Sequence, residues 1–84
     1  MTGTRPIPLA LTDRQLELVV HIANGLRTPE IAEREFLSVS SVQKILNSAR
    51  RNMGAVTLSH LVALTIGNGL LVWEDGEHRA NGQH

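Results

Sequence analysis

The stretch FLSVSSVQKILNSARRNM, residues 36–53, contains a serine-rich turn followed by a helical pattern. Its apolar residues recur at spacings of three and four, which is the spacing of one face of an α-helix. These residues are Val42, Ile45, Leu46, Ala49 and Met53. A serine precedes the pattern, either Ser38 or Ser40, and serine is a preferred N-cap. Gly54 follows it, as suits a helix end. We therefore predict a helix over residues 39–53.

The polar residues of this helix lie off the apolar stripe. They are Gln43, Lys44, Asn47, Arg50 and Arg51. The stretch contains one lysine, two arginines and no acid, whereas the whole chain of 84 residues has eight basic and eight acidic residues. A balanced total argues against strong sequence-independent binding to nucleic acid, but it permits a local basic face. The polar face is therefore either a DNA-reading surface or the ordinary solvated side of a core helix.

Two shorter patterns precede this helix. Thr12 and Gln15 have the spacing of a capping box, which predicts a helix over residues 12–24. Gly25 suits the left-handed conformation after a helix. Thr28 as N-cap and Pro29 at the first helical position predict a second helix over residues 29–35.

The segments around these helices complete the predicted organisation. We expect Phe36 and Leu37 to anchor the turn before the third helix, and Thr57 to cap a fourth helix within residues 57–69. Four helices with short connections predict an all-α fold in one domain over residues 11–73. A flexible N-terminal arm at residues 1–10 and a polar, disordered tail at residues 74–84 would flank it.

Several functional classes are disfavoured by composition. The chain has no cysteine, so neither a disulfide scaffold nor a thiolate zinc site is expected. It has no signal-peptide pattern and no apolar run long enough for a membrane span, so we expect a cytoplasmic protein. The four histidines lack metal-ligand spacing, and EDGEH lacks the spaced ligands of a calcium loop. We expect His21 at a helix surface, and neither an enzyme nor a cofactor.

Four stretches together resemble the LuxR/NarL-type helix-turn-helix domain of bacterial transcription regulators. They are LTDRQLELV, ANGLRTPEIAERE, FLSVSSVQKIL and TLSHLVALTIGNGLL. The family patterns Leu-Thr-x-Arg-Glu, Gly-Leu-x-x-x-Glu-Ile-Ala and Leu-x-Ser-x-x-Thr-Val-Lys are met in part by Leu11, Thr12, Arg14, Gly25, Leu26, Glu30, Ile31, Ala32, Ser38 and Val42. The resemblance covers roughly residues 9–72 and agrees with several motifs in order. It implies a four-helix domain, here of the stand-alone kind without a receiver or ligand-sensing domain.

The chain also departs from that family pattern. The glutamate after Arg14 is Gln15, the lysine after Val42 is Gln43, and the histidine two positions later is Ile45. The late helix positions that the family fills with an apolar residue, lysine and leucine hold Arg50, Asn52 and Met53. The scaffold motifs therefore agree better than the recognition helix does.

The resemblance implies DNA recognition by the third helix, about residues 39–53. Its base contacts would come from Gln43, Lys44 and Asn47, because glutamine and asparagine pair with adenine and lysine with guanine acceptors. Its phosphate contacts would come from Thr28, Ser40, Ser41, Arg50 and Arg51. The implied function is a sequence-specific DNA-binding transcription regulator with double-stranded DNA as its partner.

The fourth helix is the dimer surface of the family. A homodimer seam would then use Leu58, Leu61, Val62, Thr65 and Trp73, although the leucines and valine would equally suit the monomer core. The alternative function is an adaptor that keeps the helix-turn-helix fold and binds a protein, RNA polymerase or another regulator. The neutral charge, the altered recognition helix and the apolar run LLVW favour that alternative.

Overall fold

The computed structural model describes residues 11–81, in which four α-helices are followed by a two-stranded antiparallel hairpin. The elements are α1 Asp13–Ala23, α2 Thr28–Arg34, α3 Val39–Met53, α4 Leu58–Gly67, β1 Leu71–Glu74 and β2 Glu77–Ala80. The four predicted helices are confirmed, and α3 has the predicted bounds. The expected arm at residues 1–10 lies outside the described residues, as do residues 82–84. No helix within residues 11–81 is long and apolar enough to cross a bilayer.

Local capping explains where three helices begin. The Thr12 hydroxyl accepts a hydrogen bond from the Gln15 N–H at 3.0 Å, while Gln15 Oε1 accepts one from the Thr12 N–H at 2.9 Å. Ser38 rather than Ser40 caps α3 by accepting from the Ser41 N–H at 3.0 Å. The Thr57 side chain caps α4 in the same way. Each cap satisfies an amide that has no partner inside its helix.

The start of α2 differs from the prediction by one residue. Thr28 is the first helical residue and Arg27 occupies the N-cap position. The Glu30 carboxylate accepts a hydrogen bond from the Arg27 N–H at 2.7 Å. This bond orders the backbone at Arg27, one residue before the predicted cap, and Thr28 lies inside the helix.

One apolar core joins the four helices to the hairpin, and α3 contacts all three other helices. Its buried residues are Leu11, Leu18, Val19, Ile31, Ala32, Val42, Leu46, Ala49, Ala55, Leu61 and Leu71. Thr65 is also buried, and its hydroxyl donates to the Val62 carbonyl at 2.8 Å and to the Leu61 carbonyl at 3.1 Å. Because that hydroxyl is satisfied within α4, it adds no unpaired polar group to the core.

The turn between α2 and α3 has only one of its two expected anchors. Leu37 packs against the core, but Phe36 is 94% exposed and has a φ of 57°. The left-handed conformation is rare for a residue with a β-carbon. The prediction that Phe36 anchors the turn is therefore wrong, because the backbone conformation of the turn directs its ring into solvent.

The C-terminal hairpin was not predicted. Residues 74–81 were expected to be a disordered tail, whereas Glu77–Ala80 forms β2 and pairs with β1. Asp75 and Gly76 connect the strands with φ values of 52° and 81°. Positive φ at both central residues characterises the type I′ turn, for which Asp-Gly is a preferred pair.

Asn24 attaches the hairpin to the end of α1. Its side-chain Nδ2 donates to the His78 carbonyl at 3.0 Å, and its Oδ1 accepts from the His78 N–H at 2.6 Å. The His78 ring also meets Trp73 edge to face, with ring centroids 4.9 Å apart. The amide of Asn24 thus bonds to β2 much as a neighbouring strand would.

We expect Asn24→Ala to destabilise the hairpin by about 1–3 kcal/mol, because it removes two hydrogen bonds and leaves two part-buried backbone groups without partners. Hydrogen exchange at the His78 amide and urea unfolding would measure the loss. Asn68→Ala is the matched control, since the Asn68 side chain makes an exposed bond within α4. Equal stability losses in the two variants would contradict this role of Asn24.

We expect Phe36→Gly to raise the free energy of unfolding by about 0.5–1 kcal/mol, because glycine adopts positive φ without a steric penalty. Little packing is lost, since the phenyl ring is exposed. Leu37→Gly is the contrasting variant and should destabilise, because Leu37 packs against the core. Urea unfolding would compare both variants with wild type. Destabilisation by Phe36→Gly would show that the positive φ of Phe36 does not strain the backbone.

Candidate nucleic-acid interface

The outward face of α3 is polar and free of acids. It consists of Ser40, Gln43, Lys44, Asn47 and Arg51, all exposed. An α-helix turns by about 100° per residue, so these positions fall on one side of α3. The buried residues Val42, Leu46 and Ala49 lie on the opposite side. The three residues predicted to contact bases therefore share one solvent-facing surface, which we call the α3 outward face.

The residues predicted to contact phosphate fall into two groups. Ser40 and Arg51 are exposed on the α3 outward face. The others are more enclosed: Thr28 is half-buried, the Ser41 hydroxyl accepts from the Ser38 hydroxyl at 3.0 Å, and the half-buried Arg50 donates to the Ala55 carbonyl at 3.2 Å. That last bond fastens the end of α3, so Arg50 has a structural role in this conformation.

The flanking helix α2 adds both signs of charge. Arg27 and Arg34 are exposed at its two ends, and Glu30 and Glu33 are exposed between them. Glu30 is hydrogen-bonded to the backbone of Arg27. Of the two helices α2 and α3, only α3 therefore has basic residues and no acidic ones.

A polar network links the end of α2 to α1. Glu35, at the C-cap of α2, accepts from the Arg14 guanidinium at 2.7 Å and lies 2.7 Å from His21 Nε2. The expectation that His21 lies at the helix surface is wrong, because its side chain is only 16% exposed in this contact. Arg14 and His21 are two helical turns apart and so face the same way, which is the one local sign of the network.

The same network lowers the pKa of the Glu35 carboxyl group. The hydrogen bond from His21, followed by the charges of His21 and Arg14, lowers the pKa of Glu35 below its usual range, although partial burial opposes the shift. A lowered pKa means that the folded state favours the ionised carboxylate.

The residues predicted for the dimer seam do not form a continuous exposed surface. Leu61 and Thr65 are 1% and 0% exposed and belong to the monomer core. Leu58 and Val62 are half-buried, and Trp73 is 64% exposed. The periodic pattern of α4 did not distinguish its inner face from its outer one, because the helix has apolar residues on all sides.

The exposed apolar side of α4 contains the predicted seam residue Val62 and two residues, Ala63 and Ile66, that were not predicted for the seam. Ala63 and Ile66 are exposed there, three residues apart, with the half-buried Val62 beside them. Helix α4 contains no Asp, Glu, Lys or Arg. This absence of charged residues could have indicated from the sequence that the solvent-facing side of α4 is apolar. We call Val62, Ala63 and Ile66 the α4 apolar face.

We expect stability to fall at acid pH partly through Glu35. Because its pKa is lowered in the folded state, its stabilising contribution is present above the unfolded pKa and is lost as pH falls through the folded pKa. Glu35→Gln should therefore be less stable than wild type at neutral pH, and the difference should shrink below about pH 4. Urea unfolding across a pH series would measure this.

Glu17→Gln is the control for that series, since Glu17 contacts only one member of the network, Arg14, at 3.1 Å and is half exposed. Its unfolding free energy should follow the wild-type pH dependence closely. A gap between Glu35→Gln and wild type that stays constant down to about pH 3 would show that Glu35 does not titrate as described.

The chain matches no protein-family model, and no curated protein matches it. Its structure is similar to VqmA in the crystal structure of the Vibrio cholera VqmA–ligand–DNA complex, with a TM-score of 0.67 and 20% sequence identity. The match covers 100% of this chain and 40% of the VqmA chain, so this chain spans two fifths of the length of that protein. At this identity the likeness establishes a shared fold, and the four-helix helix-turn-helix architecture predicted from the sequence is confirmed.

Proposed function

We propose that this protein is a sequence-specific DNA-binding transcription regulator of the LuxR/NarL type. The observation that most supports this function concerns the α3 outward face. This face is exposed and contains no acid, and it lies on the second helix of a helix-turn-helix pair. In this motif the second helix enters the major groove and its outward side chains reach base edges. The fold shared with VqmA, which is bound to DNA in its crystal structure, supports the same interpretation.

Three side chains of the α3 outward face are assigned to base recognition. Gln43 and Asn47 offer amides that pair with adenine through both of its major-groove atoms, and Lys44 suits the O6 and N7 acceptors of guanine. Gln43 and Asn47 are about one helical turn apart, Lys44 follows Gln43 directly, and all three are exposed. Such an arrangement spans neighbouring base pairs rather than a single one.

Phosphate contacts are assigned chiefly to Arg51 and Ser40. Both are exposed at opposite ends of the α3 outward face, where they would meet the strands bordering the groove. Thr28, Ser41 and Arg50 have weaker support, because Thr28 is half-buried and the other two make hydrogen bonds within the chain. Their contribution would require rearrangement on binding.

A homodimer completes the proposed function. One module covers a small area of DNA, and two copies on paired half-sites multiply both affinity and specificity. The α4 apolar face supports the association, since its aliphatic side chains face solvent on a helix without charge. It replaces Leu61 and Thr65, which are enclosed in the core.

The adaptor function is the second candidate. Its support is the set of exposed large apolar side chains Phe36, Val56 and Trp73, which are 94%, 76% and 64% exposed. Exposed aromatic residues are common anchors in protein interfaces. A partner such as RNA polymerase or another regulator would then contact these residues while the α3 outward face stays free.

We expect wild type to bind duplex DNA in fluorescence anisotropy with a random-sequence pool, and the affinity to fall as salt rises. Lys44→Ala/Arg51→Ala should weaken binding at least about tenfold at low salt and reduce the slope of log affinity against log salt by about 1–2. The reason is the removal of the two exposed cations of the α3 outward face.

Arg34→Ala/Arg79→Ala is the control, because it removes two exposed cations that border the groove between α1 and β2. This variant should retain the wild-type salt slope. Absence of wild-type binding to any duplex at low salt would reject the DNA-binding function and favour the adaptor. Equal losses in the two double variants would show non-specific attraction without a reading face.

A further inference from the structure

The two outer edges of the hairpin can be assigned from its hydrogen bonds. The Asn81 N–H donates to the Leu70 carbonyl at 2.8 Å, which makes Leu70 and Asn81 a bonded pair. Bonded and non-bonded pairs alternate along an antiparallel ladder. Trp73, three residues further on, pairs with His78 in the register and so belongs to a non-bonded pair. The backbone N–H and C=O of both residues therefore point outward, away from the partner strand.

The edge of β2 is already occupied. Asn24 hydrogen-bonds to both the N–H and the C=O of His78, which independently confirms that these groups point outward. The edge of β1 has no such partner strand within residues 11–81, where the sheet consists of β1 and β2 only. The corresponding outward groups on β1 belong to Trp73, which is 64% exposed.

The β1 edge is short but contains no proline and no lysine, two of the residues that usually prevent strand pairing. Exposed edges in soluble proteins tend to carry proline, lysine or other charged residues that discourage association. Here the edge strand is Leu-Val-Trp-Glu, with its single charge at the end. The α4 apolar face lies just before it in the chain, because Ile66 and Leu71 are separated by one short turn.

We propose that β1 pairs antiparallel with β1 of a second copy of this chain, which produces a four-stranded sheet across a two-fold axis. Leu71 is buried, so Trp73 is the residue whose outward groups a partner can reach. The axis then passes between the two Trp73 residues, which exchange N–H···O=C bonds. This seam rests on the homodimer of the proposed function, but it does not require DNA.

The charges of the strand are compatible with this self-pairing. In a ladder centred on Trp73, Glu74 of one copy lies opposite Val72 of the other rather than opposite the second Glu74. The two exposed indoles fall on the same face and cover each other. A two-fold interface uses the same patch on both copies, as this edge would.

The first test compares Trp73→Pro with Trp73→Ala by sedimentation equilibrium. Alanine removes the indole and keeps the N–H, whereas proline also removes the N–H that points outward and leaves the hairpin ladder intact. We expect the proline variant to dimerise on the order of tenfold or more weakly than the alanine variant, since two bonds are lost per dimer. Thermal unfolding and circular dichroism of the two variants should agree, which shows that the hairpin persists.

Equal dimerisation of the two Trp73 variants would overturn the proposal, and so would a wild-type protein that stays monomeric at the highest soluble concentration. The α4 apolar face alone would then be the candidate seam. Ile66→Lys serves as the comparison, because it adds a charge to α4 and leaves the sequence of β1 unchanged. Loss of the dimer in Ile66→Lys together with unchanged dimerisation in Trp73→Pro would likewise reject β1 pairing.

The second test uses disulfide trapping, for which the absence of cysteine gives no background. Single cysteines at positions 72, 73 and 74 would be oxidised under matched conditions. Residues of a bonded pair lie about 5.5 Å apart at their Cα atoms, within the range of a disulfide. We expect fastest crosslinking for Trp73→Cys, and equally slow crosslinking at all three positions would refute the two-fold axis at Trp73.

These outcomes separate the seam from the DNA-binding function. Trp73→Pro should bind a single half-site with wild-type affinity and a paired site more weakly than Trp73→Ala does. A wild type that dimerises through Trp73 and binds no duplex DNA would reject the regulator function while keeping the seam. A wild type that binds DNA and shows no difference between the two Trp73 variants would reject the seam alone.

Discussion

Burial of one side of α3 is the constraint on which the rest of the structure depends. Val42, Leu46 and Ala49 are enclosed where α3 packs against α1 and α2. A helix is rigid, so enclosing one side determines which residues reach solvent on the other. Rotating α3 by one residue would bring Gln43 toward the core, and an unpaired buried amide is costly. The chemistry of the α3 outward face is therefore a consequence of apolar packing on the other side.

Interactions within one helical turn could be predicted from the sequence. The capping pair Thr12 and Gln15, the serine cap of α3 and the left-handed Gly54 all depend on neighbours within a few residues, and all are present in the structure. Contacts between distant residues could not be predicted in the same way. Glu35 meets His21 and Arg14 across 14 and 21 positions, and this meeting depends on how α1 and α2 cross.

The errors at Phe36 and in α4 arose from treating hydrophobicity as burial. A phenyl ring suggests an anchor, yet the left-handed backbone of the turn leaves Phe36 outside the core. In α4 every position from Leu61 to Ile66 except Thr65 is apolar, so periodicity could not separate Leu61, which is enclosed, from Ile66, which is exposed. The hairpin had a local sign in Asp75-Gly76. Its attachment did not, because Asn24 and His78 are 54 residues apart.

Two residues that depart from the family pattern, Gln15 and Asn52, contact each other in the structure. The positions where the family has glutamate and lysine hold Gln15 and Asn52, and the Asn52 side-chain amide lies 3.4 Å from Gln15 Oε1. This neutral contact links α1 to α3 without any charged group.

The balanced charge of the chain bears on how a DNA reader of this kind would achieve specificity. Sequence-independent affinity grows with the number of phosphates neutralised, and here only Lys44 and Arg51 are freely exposed cations of α3. Weak non-specific binding lowers competition from the many other sites of a genome, and it leaves base contacts and dimerisation to supply the difference. A second copy matters more for such a protein than for a strongly basic one, because each half contributes little electrostatic attraction. A rigid dimer seam would then fix the distance between the two α3 helices, and this distance would set the half-site spacing and make the binding selective.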